Sequence, residues 1–249
     1  MNKLMYDPKG NGKEKTVHSV RFIEVEPPSH LSGVVHRFLE LKTESVLHDD
    51  YRFHALPDAC TYIIFNQLNT KIAGITKLHA TSEALNLGKI FHYINIRLLP
   101  GVWQGSKTTH GMVDALYSGD LPLIKVNSEL VGLDFTDKQS VLSALVERLI
   151  DEKLVAPNPV TEKIFANIYD IHTVADMAAV IGLSPRQLQR TLKQTTGFSP
   201  HDFIKVLRLQ QSLDGNNYLS YYADQSHFIR SFRKATGYTP AKYSEKFDV

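Results

Sequence analysis

RTLKQTTGFSPHDF at residues 190–203 returns as RSFRKATGYTPAKY at residues 230–243. Arg190 matches Arg230, Thr196 matches Thr236, Gly197 matches Gly237 and Pro200 matches Pro240. The remaining pairs are mostly like for like: Leu192 with Phe232, Lys193 with Arg233, Phe198 with Tyr238, Phe203 with Tyr243. A repeat of this kind is one supersecondary unit used twice. The unit is a basic helix that stops at a glycine, followed by a helix started by proline. Two basic helices a fixed distance apart suit a protein that reads something long, periodic and negatively charged.

The charge around the repeat supports that reading. The whole chain has a net charge of only +2. Residues 156–249 hold 11 Lys+Arg against 8 Asp+Glu, a balance of +3, which leaves −1 for the rest. Between Asp176 and Asp202 there is no carboxylate, but Arg186, Arg190 and Lys193 are present. Between Asp224 and Glu245 there is again none, against Arg230, Arg233, Lys234 and Lys242. Each repeated helix therefore projects an undiluted positive field.

The stretch before the first copy completes a helix-turn-helix. Thr173 and Asp176 form a cap pair for a helix over 173–180, and Gly182 ends it. Ser184, Pro185 and Gln187 then open a second helix with an N-cap, a first-turn proline and a capping box. Leu183, Leu188 and Leu192 hold the second helix on the first, and Ala178 is small enough to allow close approach. The outer face is left with Arg186, Gln189, Arg190 and Lys193 at i, i+3, i+4 and i+7. Arginine presents a fork to guanine, and glutamine pairs with adenine. Base contacts in this motif come from the N-terminal half of the helix, so Lys193 suits phosphate instead.

Further out, APNP at 156–159 reads as a linker, followed by a helix over 161–169. Ser199-Pro200, Asp224 and Thr239-Pro240 open three more helices. Upstream of the linker, 17–26 alternates as a strand. Residues 30–41 (HLSGVVHRFLEL) read as a short helix with Leu31, Val34, Val35, Phe38 and Leu41 on one face. Short β-rich runs follow at 61–65, 71–80, 89–99 and 121–126, with turn signals at Asn86/Gly88, Pro100-Gly101 and Gly119-Asp120. Many short strands without long helices between them imply an antiparallel sandwich or small barrel. Thr136 with Gln139 opens a helix whose stripe of Val141, Leu142, Leu145, Val146, Leu149 and Ile150 either covers the β-structure or forms a dimer seam.

With 249 residues the chain has room for two cores. No apolar run is long enough to span a membrane, and the first residues lack the apolar core of a secretory signal. Cys60 is the single cysteine, which suits a reducing cytoplasm.

TVADMAAVIGLSPRQLQRTLKQTTGFSP (173–200) and YADQSHFIRSFRKATGYTPAKY (222–243) together resemble the AraC/XylS family of bacterial transcription regulators. The resemblance covers roughly residues 160–246. It implies an α+β two-domain chain: a β-rich sensory or dimerisation domain over 1–155, and a helix-turn-helix DNA-binding domain over 156–249. LPDACTYIIF (56–65) and IRLLPGVW (96–103) faintly resemble the family's variable N-terminal region, often a cupin-like β-barrel. Carried onto matching positions, the resemblance implies Arg186, Gln189 and Arg190 as one base-reading set and Gln225, Ser226 and Arg230 as the other. Ser184, Lys193, Arg233 and Lys234 are the expected phosphate contacts. The expected partners are double-stranded DNA, a small-molecule effector, RNA polymerase and a second copy of the chain, in the cytoplasm at the nucleoid. No cofactor, metal, membrane or enzymatic activity is expected.

One stretch departs from the family. At the repeat offset, the helix that should support the second reading helix is replaced by LDGNNYLS (213–220), whose Gly215-Asn216-Asn217 is a turn signal. The second unit is thus expected to be shortened, with Tyr218, Tyr221 and Tyr222 as substitute support. An alternative follows: a co-regulator with weakened DNA binding, acting by heterodimerisation. A metalloenzyme finds little support. His48, His54, His79, His92 and His110 lack a His-x-His pair or a carboxylate at ligand spacing. No nucleophile motif occurs either.

Overall fold

Val35–Thr43 organises the N-terminal half because both of its faces are apolar or buried. In the computed structural model, which describes residues 6–9, 12–76, 79–105, 116–213, 222 and 224–248, this segment is strand β2. It lies between β1 (Val20–Val25) and β7 (His92–Leu98), and β4 (Thr61–Asn66) and β5 (Ala73–Ile75) continue the sheet. The order is β1-β2-β7-β4-β5, every pairing antiparallel. A separate hairpin joins β3 (Tyr51–Ala55) to β6 (Glu83–Gly88).

Strand alternation sends side chains to two layers. Phe38, Ile63, Phe65, Ile94 and Ile96 face α1 (Leu123–Glu129) and α2 (Phe135–Asp151), meeting Leu142, Leu145, Val146 and Leu149. Val20, Leu41 and Tyr93 face the other way, onto Tyr51, Leu87 and Phe91. The stripe on α2 is consumed in covering the sheet, so it is not a dimer seam. Among the described residues β1 and β5 remain edges and the hairpin forms its own sheet, so the expected cupin-like barrel is not closed. The arrangement is layered: helices on one face, the hairpin on the other.

Four local expectations are corrected. Residues 30–41 are a one-turn 3-10 helix (Ser29–Leu31) and then β2. A strand buried on both faces loses its period of two and can mimic helical spacing. Residues 121–126 give α1 rather than a strand: Pro122 sits at the helix start, and Leu123, Val126 and Leu130 are buried at helical spacing. Helix α2 is capped by Asp134, whose carboxylate accepts from the Asp137 N–H at 2.8 Å, and not by Thr136. The run expected over 71–80 is confined to β5; residues 77 and 78 lie outside the described part.

The 156–159 stretch is pinned rather than a free linker. Buried Asn158 caps α3 (Pro159–Ala166, against the expected 161–169) and donates Nδ2 to the Gly101 carbonyl at 3.0 Å. Thr161 donates to the Pro100 carbonyl at 2.9 Å. The remaining helices are α4 (Val174–Ile181), α5 (Pro185–Thr195), α6 (Pro200–Leu213), α7 (Gln225–Thr236) and α8 (Pro240–Lys246). Helix α6 serves two cores. Phe203, Val206 and Leu207 join α3, α4 and α5, whereas Leu209 joins Phe228, Phe232, Tyr243, Phe247 and Leu56.

Candidate nucleic-acid interface

The first helix-turn-helix is built by local capping chemistry. Thr173 accepts from the Asp176 N–H, and the Asp176 carboxylate accepts from the Thr173 N–H at 2.7 Å. Gly182 takes the left-handed conformation (φ 75°) that ends α4 and turns the chain into Ser184. The Ser184–Gln187 capping box is complete. Leu188 and Leu192 are fully buried against Met177 and Ala178, which fixes the rotation of α5 about its axis. That rotation leaves Arg186, Gln189, Arg190 and Lys193 exposed on one face. The four residues line one shallow concavity with Val174 and Pro185.

Helix α7 repeats the construction. Asp224 caps α7 by accepting from the His227 N–H at 2.7 Å, and Gly237 ends it at φ 80°. Phe228 and Phe232 are buried where Leu188 and Leu192 are in the first copy. Gln225, Ser226, Arg230, Arg233 and Lys234 are all exposed. The repeated Thr-Gly has a structural reason. The Thr196 hydroxyl donates to the Leu192 carbonyl (2.7 Å) and accepts from the Phe198 N–H (3.2 Å). Thr236 does the same with Phe232 (2.9 Å) and Tyr238 (3.2 Å).

Some expected contacts have intramolecular work as well. The Ser184 hydroxyl donates to Gln187 Oε1 at 2.8 Å within the cap, which competes with a phosphate role. Lys193 Nζ donates to the Gly197 carbonyl at 2.9 Å, and Arg230 Nε to the Ser226 carbonyl at 3.2 Å. At the repeat offset Gln189 corresponds to Ile229, which is 36% exposed although apolar. Sequence reading passed over Ile229; writing the two helices one above the other would have exposed it.

The support of α7 differs from that of α5. Residues 214–221, which include Tyr218, Tyr221 and most of the expected shortened helix, lie outside the described part. Tyr222 packs on Phe228, ring centroids 5.2 Å apart. Among the described residues the β-rich half adds further support. His54 of β3 stacks on Phe247 (4.9 Å) and pairs with the Thr236 carbonyl through Nε2 at 2.9 Å. Ser82 N–H donates to the Ala235 carbonyl at 2.8 Å. Residues 13–15 pair with 246–248 through Lys15 N–H to the Lys246 carbonyl (3.0 Å) and Asp248 N–H to the Lys13 carbonyl (2.8 Å).

The histidines weighed as metal ligands have separate partners. His48 meets Asp49, His54 meets Thr236, His79 meets Glu83 and His92 meets Glu40, whereas His110 lies outside the described residues. Among the described residues no helix is long and apolar enough to cross a membrane.

No protein-family model matches the chain, and no curated protein matches it in sequence. Among solved structures it is similar to ToxT from Vibrio cholerae, with 13% identity and a TM-score of 0.42 over 90% of this chain and 96% of that one. A TM-score of that size describes a partial likeness of the chain path.

Proposed function

We propose that the chain is a sequence-specific DNA-binding transcription regulator of the AraC type. Residues 156–249 bind DNA, and residues 1–155 sense a small molecule or dimerise. The observation that carries this is the match between α5 and α7. Two carboxylate-free helices, each anchored by two buried apolar residues, expose basic and amide side chains on the opposite face. On α5 the base readers are Arg186, Gln189 and Arg190, with Lys193 and Ser184 at phosphate. On α7 they are Gln225, Ser226 and Arg230, with Arg233 and Lys234 at phosphate. Ile229 joins that set as a contact for a thymine methyl. The protein acts in the cytoplasm.

The test is a mobility-shift titration on random duplex at two salt concentrations, followed by selection of bound sites from a random pool. Affinity must fall steeply with salt, since each neutralised phosphate releases counterions. Absence of binding at low salt overturns the proposal. Recovery of one short site rather than two adjacent segments removes α7 from the readers.

A further inference from the structure

Between the five-stranded sheet and the β3–β6 hairpin lies a cavity of about 100 Å³. Its walls are apolar: Phe22, Leu39, Leu41, Phe53, Leu85 and Leu87. On its sheet side sit Asn95, Arg97 and Tyr62. Asn95 Oδ1 is buried and accepts no hydrogen bond among the described residues. Native proteins seldom leave such an atom unpartnered, and its presence marks a place that something else completes.

We infer that this cavity binds a small, uncharged, largely apolar molecule with one hydrogen-bond donor, an alcohol or a phenol, whose O–H is taken by Asn95 Oδ1. Charge decides against an anion. The Arg97 guanidinium is committed to Glu24 (2.6 Å), Tyr62 Oη (2.8 Å), His36 Nδ1 (3.2 Å) and the Pro8 carbonyl (3.2 Å). Tyr62 in turn donates to Asp58 at 2.5 Å. Among the described residues lining the cavity Arg97 is the only cation, and its pairing with Glu24 leaves no spare positive charge for an anion. A sugar fits poorly, because the lining is mainly apolar and the few polar groups there (Thr76, Tyr93, Tyr62, Asn95 and Arg97) could not meet all of its hydroxyls. Size sets the scale: a dry apolar cavity of roughly 150 Å³ holds benzene, so one of about 100 Å³ holds about four non-hydrogen atoms as it stands, and a phenol-sized ring enters only as the hairpin yields.

The cavity shares a wall with the DNA-reading machinery. On β3, Phe53 and Ala55 face the cavity, whereas His54 between them faces Thr236, Tyr243 and Phe247. A ligand that displaces β3 therefore moves the anchor of α7. This last step rests on the DNA-binding reading above; ligand binding itself does not.

The probes are phenol, toluene (the same shape without a donor) and benzoate (an anion), titrated into the full chain by calorimetry and followed in amide spectra. Phenol should bind about tenfold tighter than toluene, the worth of one buried hydrogen bond, and benzoate should not bind. Spectral changes should reach Asn95 and the end of α7. Asn95→Leu should bring phenol and toluene to equal affinity. Equal binding of phenol and toluene to the unaltered chain, preference for benzoate, or no binding of phenol overturns the inference, including the case in which water alone fills the cavity. Loss of phenol binding with DNA binding intact removes only this inference. Phenol binding without DNA binding removes only the regulator reading.

Discussion

His54 Nε2 lies 2.9 Å from the carbonyl oxygen of Thr236, so a strand of the β-rich half holds the last residue of α7. Burial pushes the imidazole's pKa down and the Thr236 carbonyl only partly offsets this, so the ring is neutral and donates through Nε2. His54→Ala removes that bond and the ring stacked on Phe247, a loss of about 2–4 kcal/mol by analogy with other large-to-small changes. The loss should be local. Amide exchange should quicken in α7 and α8, while α5 keeps its protection. Equal loosening of α5 would mean that the two reading helices share one support.

The two basic residues of α5 that follow Gln189 should behave differently. Arg190 lies in the half of α5 proposed to meet base edges, and its replacement by alanine should cost about 1–3 kcal/mol at the cognate site and relax base preference there. Lys193→Ala should weaken all sequences about equally and lower the salt slope by about one. Quantitative binding to a selected site and to scrambled duplex, each at two salt concentrations, separates the two. Intact specificity after Arg190→Ala would show that α5 is misassigned as a reader.

His36 makes stability depend on pH. It is 2% exposed, its Nδ1 accepts from Arg97 Nη1 at 3.2 Å, and its Nε2–H donates to Asp7 at 2.9 Å. Both nitrogens are therefore satisfied only in the neutral ring. Burial, opposed by the Asp7 hydrogen bond, lowers its pKa from 6.5 to about 4. Because the folded value lies below the unfolded one, the unfolded chain takes up the proton first as pH falls. The stabilisation is full above about 6.5 and is lost progressively toward 4, amounting to about 2–3 kcal/mol by pH 4.5. Urea unfolding at pH 7 and 4.5 checks this, and His36→Gln should flatten the difference. A difference unchanged in that variant would place the dependence elsewhere.

The helical half was legible because its signals are local. Capping boxes, first-turn prolines and left-handed glycines act within four residues, and Thr173, Ser184, Asp224 and Thr239 each cap where the sequence put them. The β-rich half was less so. Residues 35–41 are buried through contacts with α2 on one side and the hairpin on the other, neither of which neighbouring residues announce. The anchoring of α7 by His54 joins residues 182 positions apart, and no spacing rule reaches that far. The exposed set on α5 could be read off the buried leucines; Ile229 was legible too, from the repeat offset that places it over Gln189.

Ile229 offers the sharpest comparison between α5 and α7. It occupies the place of Gln189, and this large β-branched side chain, 36% exposed on a basic face, belongs to no hydrophobic cluster among the described residues. A thymine methyl in the major groove would bury it, and a glutamine there would instead pair with adenine. Ile229→Ala should lower affinity by about 1 kcal/mol only at sites with thymine opposite α7. Ile229→Gln should shift the selected base at that position toward adenine and leave the segment read by α5 unchanged. Base selection from random pools by the three proteins, sequenced in parallel, reads both outcomes. If the selected base stays the same in all three, α7 does not present this face to the groove. Its basic residues would then serve phosphate alone.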